Sequence, residues 1–155
     1  MNFPCTGCGA CCKRLPETSP MALADGRCRH LDLQTDRCSV YAQRPLVCRV
    51  DDFFHSRMAD IIPARVYYLI QAHSCVGLDA GNAELPRVMA EQLVDSQPIG
   101  SPDDGGAAPT REARIEAMMA LRPDELERGV QHILAAVGEL SPQEVECAVE
   151  AAARD

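Results

Sequence analysis

The chain has 155 residues and a mass of 16.8 kDa, room for one domain or for a small domain with an appendage. Only six residues are aromatic and none is Trp, so large core-filling side chains are scarce. A net charge of −8 and a pI near 4.9 argue against nucleic acid or an anionic membrane as a partner, and the longest apolar runs, Val66–Ile70 and Ile133–Val137, fall far short of the roughly 20 residues a bilayer span needs.

The opening reads C5-T-G-C8-G-A-C11-C12, a tight glycine-containing turn with four thiols. Up to about residue 60 little periodicity is sustained, which predicts irregular loops and short helices. Ala64–Ser74 permits a helix or a strand, and Pro63 near its start tilts the reading toward helix. Glu84–Asp95 reads as an amphipathic helix through Leu85, Val88, Met89, Gln92 and Leu93. From Asp95 to Thr110, turn and breaker residues dominate and predict a linker over 96–110. Thr110 can cap a helix over Arg111–Leu121, with Ile115, Met118 and Met119 on one side. Pro123, Asp124 and Glu125 open a second helix, in which Leu126, Val130, Ile133, Leu134 and Val137 recur at helical spacing and Gly138 is placed to end it. Ser141-Pro142-Gln143-Glu144 opens a third, with Val145, Ala148, Val149 and Ala152 as its apolar stripe and Cys147 outside it. The methionine pairs read as core filling.

Charge divides the chain unevenly. Residues 1–50 carry +3, from Lys13, Arg14, Arg27, Arg29, Arg37, Arg44 and Arg49 against four acids, and the remainder carries −11. The basic part is also the cysteine-rich part. Eight of the nine cysteines, Cys5, Cys8, Cys11, Cys12, Cys28, Cys38, Cys48 and Cys75, lie within residues 1–75. Each C-x-x-C step lets a turn aim two sulfurs at one centre, and Gly7 and Gly9 permit the backbone angles required.

Three chemistries compete for these thiols. A disulfide framework needs an oxidising compartment, yet no basic start followed by an apolar run opens the chain, so no secretory signal is expected. Adjacent Cys11 and Cys12 are also awkward as separate bridges. A C-x-x-C redox pair would leave six other thiols without a role. Metal coordination uses all eight, and thiolates suit Zn²⁺ or iron–sulfur centres, not Mg²⁺ or Ca²⁺. Eight ligands can supply two four-thiolate sites or one binuclear centre, and C-x-x-C-x-x-C with a remote cysteine is also an iron–sulfur pattern. Two zinc ions with four thiolates each carry about −4 together, close to offsetting the local +3, which would give the arginines a screening role.

C5-x-x-C8-G-x-C11-C12, then Cys28 and Cys38, then Y41-x-x-R44-P45-x-x-C48-R49, resembles the CxxCxxCC, or YkgJ-like, cysteine-cluster family of zinc- or iron-chelating proteins. The resemblance covers residues 3–75. It implies that Cys5, Cys8, Cys11, Cys12, Cys28, Cys38, Cys48 and Cys75 are metal ligands, in a bacterial cytoplasmic protein. Related clusters also occur attached to protein-modifying enzymes such as flagellin lysine methylases, which keeps a catalytic role open by analogy.

Among the other candidates, His30 and His73 each lie two positions from a cysteine and could replace one as ligand, although a partly exposed or backbone-bonded His is the commoner case. Asp51 and Asp52 could support a His or iron, with a solvated turn as the plainer reading, and Arg44-Pro45 reads as structural. No phosphate loop, dinucleotide fingerprint or Ser-His-Asp set is present, so no catalytic residue is assigned. The expected molecule is mainly α with irregular metal-stapled loops: a cysteine-cluster metal-binding domain over 1–95, the linker, and a helical segment over 111–155 open to a protein partner. Its expected cofactor is zinc at two sites, or iron or an iron–sulfur cluster. The expected role is a structural or metal-handling module; the alternative is an iron–sulfur redox protein or part of a metal-dependent protein-modifying enzyme.

Overall fold

A computed structural model describes residues 2–97 and 109–146. Most of the expected linker, together with Cys147, Ala148, Val149 and Ala152, lies outside the described residues. The architecture is mainly helical, with a cysteine-rich irregular N-terminal part. No described helix is long and apolar enough to cross a membrane.

Up to Arg49 the chain is held by turns. Short 3₁₀ turns occur at Cys11–Lys13, Tyr41–Gln43 and Leu46–Cys48, and a small antiparallel hairpin pairs β1 (Leu31–Asp32) with β2 (Arg37–Cys38). Asp32 makes the hairpin turn: its carboxylate accepts from the Gln34 and Thr35 amides at 2.8 and 3.3 Å. The Cys5–Cys12 turn lies directly against this hairpin. A Cβ on Gly9 would sit 2.2 Å from the Asp36 carbonyl oxygen, and Lys13 Nζ pairs with the Asp36 carboxylate at 2.7 Å.

The helices follow. α1 (Val50–Phe53) runs directly into a π-helical turn, Phe54–Met58, which turns Phe53, Phe54 and Met58 inward. α2 is Ala64–Leu78, so the segment that permitted helix or strand is helical, with Pro63 just before it. It buries Val66, Tyr67, Tyr68, Leu69, Ile70 and Ala72, faces too varied for a single stripe, because neighbours pack on several sides. It also runs four residues past Ser74, which places Cys75 in its last turn.

α3 (Leu85–Ser96) matches the expected span within a residue. α4 (Arg111–Met119) starts as expected, the Thr110 hydroxyl accepting from the Ala113 amide at 3.2 Å. It stops two residues before Leu121, and the Arg65 guanidinium takes up the freed Met118 and Ala120 carbonyls at 3.3 and 3.2 Å. α5 (Pro123–Gly138) carries Gly138 as its last helical residue, where it was expected to act as the stop; Glu139, still near helical angles, caps the end. In α6 (Pro142–Val145), the Glu144 carboxylate accepts from the Ser141 amide at 3.0 Å, the reciprocal half of the predicted capping box.

Two apolar clusters result. The larger joins Phe3, Phe53, Phe54, Met58, Tyr67 and Tyr68 to Met89, Leu93, Ile115, Met118 and Ala136, so one core draws on α1, α2, α3, α4 and α5. Five of the six aromatic residues are spent there, and Met89 and Met118 fill it as expected. The smaller consists of Met21, Cys28 and Leu31, with Cys12, Leu15, Val47 and Cys48 packed against it. Cysteines therefore form much of the apolar cluster that lies wholly within the N-terminal loops.

Candidate metal centre

The N-terminal segment is fastened before the first cysteine. Phe3 is buried in the large core, and its amide donates to both Asp51 oxygens at 2.9 and 3.0 Å. Tyr68 donates to the same carboxylate at 3.0 Å. Asp51 is thus not a solvated turn; it anchors the approach to Cys5. Gly7 and Gly9, at φ +66° and +71°, then let the chain double back through Cys8 to Cys11 and Cys12.

Each remaining cysteine arrives on its own device. The Cys28 amide donates to the Cys12 carbonyl at 2.7 Å, bringing these two together. Cys38 stands opposite Leu31 in the hairpin, so its side chain shares the face on which Leu31 is buried. Pro45 opens the turn that ends in Cys48, whose amide donates back to the Pro45 carbonyl at 3.0 Å. Cys75 comes from the far end of α2.

The arginine-proline segment has a physical reading. Arg44 lies over the Tyr41 ring, 3.7 Å from its centroid, and donates to the Tyr41 carbonyl at 3.2 Å. Its charge favours the thiolate forms of Cys11 and Cys48. Three of the other basic residues, Lys13, Arg27 and Arg49, are engaged with Asp36, Asp25 and Asp52.

The eight cysteines from Cys5 to Cys75 are free thiols. Their electrostatics record their proximity. The Cys12 thiol donates to Cys11, which lowers Cys11 to about 6 and raises Cys12; Cys28 and Cys38 raise Cys12 further. Burial pushes Cys48 up to about 12, with added repulsion from Cys11, Cys28 and Cys38. Burial pushes Cys75 up to about 11, with Cys11, Cys5 and Cys8 as its charged neighbours. Burial would also raise Cys8, but hydrogen bonds from the Ala10 amide, Asn82 and Thr6 outweigh it and leave the thiol lowered.

Asn82 was not legible as a site residue. It is the one buried polar side chain among the described residues, 5 % exposed. Its amide donates to Cys8 Sγ at 3.6 Å and to the Cys75 carbonyl at 3.3 Å, and its oxygen accepts from Thr6 at 3.0 Å. The D79-A-G-N82 stretch announces a turn, and nothing in its spacing announces a sulfur contact. Of the histidines, His73 is exposed, and a separation of two on α2 turns it away from the face that carries Cys75. His30 precedes β1 and its carbonyl accepts from the Ser39 amide at 2.9 Å.

Residues 4–76 match the CxxCxxCC family model, described as "Putative zinc- or iron-chelating domain". This segment, just under half of the chain, is similar to that family. The match takes in all eight clustered cysteines and ends six residues before Asn82. No curated protein and no solved structure matches the chain.

The donor chemistry of the CxxCxxCC segment suits a thiophilic ion: eight reduced thiols, hydrogen-bond donors to sulfur, and one cation near two of them. Mutual repulsion among gathered thiolates is the cost a bound dication removes. Among the described residues no three His, Cys, Asp or Glu side chains converge closely enough to hold an ion as they stand, so binding requires the sulfurs to close in.

Proposed function

We propose that the protein binds zinc through the thiolates of Cys5, Cys8, Cys11, Cys12, Cys28, Cys38, Cys48 and Cys75, and that it acts as a structural or metal-handling module. One observation carries this reading. Thiols from four separate pieces of chain, the Cys5–Cys12 turn, the hairpin region, the Pro45–Cys48 turn and the end of α2, come within each other's electrostatic range. Packing alone would give no reason to gather eight groups whose ionised forms repel.

Energetics support the same reading. The loops up to Arg49 have as their own apolar centre three buried residues, one of them Cys28. Structural zinc supplies on the order of 10 kcal/mol of folding free energy to small modules, more than a centre of that size can. When bound, the metal would hold the thiolates and link the loops; the protein's part is to present the sulfurs, donate to them from Asn82 and the turn amides, and screen them with Arg44.

Metal analysis of protein purified without oxygen, read with its visible absorption, tests this. Two zinc ions per chain and no colour are the expected result. Iron with acid-labile sulfide and a brown chromophore would replace zinc by an iron–sulfur centre and favour redox chemistry. Metal-free protein with freely reactive thiols would overturn metal binding altogether.

A further inference from the structure

We propose that Asn82 is a positioning residue of the metal centre, setting the direction of Cys8 Sγ and tying it to the end of α2 at Cys75. This rests on the metal-binding reading above and adds to it a residue that holds no ion yet sets the affinity. It also carries the metal-binding unit six residues beyond the family match, to the turn that precedes α3.

A buried carboxamide is costly unless its hydrogen bonds are made. Asn82 is 5 % exposed and makes them on both sides. Its Nδ2 donates to Cys8 Sγ at 3.6 Å and to the Cys75 carbonyl at 3.3 Å, and its Oδ1 accepts from the Thr6 hydroxyl at 3.0 Å. These three partners fix which way the amide faces. A thiolate sulfur and a carbonyl both accept, so turning the amide over would set its oxygen against two acceptors. Cys8 therefore meets a donor held in one direction.

The base under Asn82 is firm. Asp79 ends α2, its carboxylate accepting from the Gly81 amide at 2.9 Å, and the Asn82 amide donates to the Asp79 carbonyl at 3.0 Å. The short 3₁₀ turn Ala80–Asn82 thus folds back over the last turn of α2. There the Cys75 carbonyl accepts twice, from the Asp79 amide at 3.0 Å and from Asn82. α3 begins three residues later at Leu85, which is buried in the large core. The helical body carries the amide, while the sulfur it meets belongs to the N-terminal loops.

Such a donor acts on a bound ion through its ligand. It orients the sulfur before the ion arrives and eases the gathering of thiolate charge. Loss of a partner of this kind lowers metal affinity about 10–100-fold. A residue that only closed the end of α2 would change stability alone.

Zinc affinity of the full-length protein is measured by competition with a chromophoric chelator, beside a thermal melt, in wild type, Asn82→Leu, Asn82→Asp and Ile115→Ala. Asn82→Leu removes the donor and should weaken zinc about 10–100-fold. Asn82→Asp keeps the shape but turns an oxygen toward the sulfur, and should weaken zinc at least as much. Ile115 is fully buried on α4, so Ile115→Ala should lower the melting temperature and leave zinc affinity at the wild-type value. Cobalt(II) in place of zinc reports the sulfurs directly: its thiolate absorption should change in both Asn82 variants and not in Ile115→Ala. Wild-type affinity and spectrum in the Asn82 variants, or an equal loss in Ile115→Ala, would overturn the role of Asn82. If neither Asn82 variant folds, Thr6→Val decides. Thr6 is exposed, and releasing Oδ1 should weaken zinc in the same direction by less; unchanged affinity there would overturn the role. Wild-type protein that takes up no zinc would overturn the metal-binding reading and this role with it. Wild type that binds zinc no better than the Asn82 variants would overturn only the role.

Discussion

Gly7 and Gly9 occupy nearly the same backbone region in one turn, yet they answer to different constraints. Gly7, at φ +66°, faces open space, so Gly7→Ala meets only the left-handed penalty, ~1–2 kcal/mol. Gly9, at φ +71°, adds a collision 2.2 Å from the Asp36 carbonyl, which is backbone and cannot swing aside. Gly9→Ala should therefore cost clearly more than Gly7→Ala in thermal stability and lower zinc retention, while Gly7→Ala keeps it. Equal effects in a melting and metal-content comparison would contradict the close packing of turn on hairpin. The glycines in C5-T-G-C8-G-A-C11 were legible as turn residues because positive φ has a local signature. The contact with Asp36 was not, because it joins two segments 27 residues apart. Asn82 was missed, and Asp51 was singled out without its partners, for the same reason. A carboxylate that ties Phe3 to Tyr68, or an amide that bridges two cysteines, leaves no period and no spacing in a single sequence.

At the scale of elements, caps and periodic stripes located α3, α4, α5 and the start of α6, since each rests on neighbours three or four residues away. The extension of α2 to Leu78 and the π turn after α1 depend on tertiary packing and had no such mark. The stripe on α5 also read too wide: Leu126 and Leu134 are exposed, while Gly129 and Ala136 make the buried contacts. Gly129 is where α5 meets α2. A Cβ there would lie 2.5 Å from Ile70 Cδ1 and 2.8 Å from Val66 Cγ1. Gly129→Ala gains ~1 kcal/mol of helix propensity, but overpacking against a stiff β-branched neighbour costs ~1–3 kcal/mol. The expected outcome is net destabilisation in a denaturant melt, with zinc content unchanged; a stabilised variant would refute the close crossing.

α6 offers a pH test. Arg57, then the Ser141 amide and hydroxyl, hold the Glu144 carboxyl down at about 2, below its ordinary 4.5. A lowered folded value means the contribution is fully present above about 4.5 and is lost as pH falls toward 2. The difference in melting temperature between wild type and Glu144→Gln should therefore shrink steadily over that interval. A difference that stays constant would remove the ion pair from the account.

For the molecule as a whole, the two apolar clusters imply two sources of stability. The larger is built from α1 through α5 and contains five aromatic side chains, so it has packing of its own. The smaller draws on cysteines for much of its substance, and the loops around it depend on whatever holds those sulfurs. The sequence showed where the thiols are concentrated and what chemistry they suit. It could not show that helices on both sides of the 96–110 stretch share one core, because that follows from long-range contacts of Ile115, Met118 and Ala136 with α2 and α3.

Hydrogen exchange on the full-length protein, zinc-loaded and then stripped by chelator, tests the central claim most directly. Metal removal is predicted to collapse protection across residues 5–49 and the Cys75 end of α2, while the central turns of α2, α3 and α5 keep theirs. Unchanged protection in residues 5–49 after complete zinc loss, or uniform loss through every helix, would contradict it.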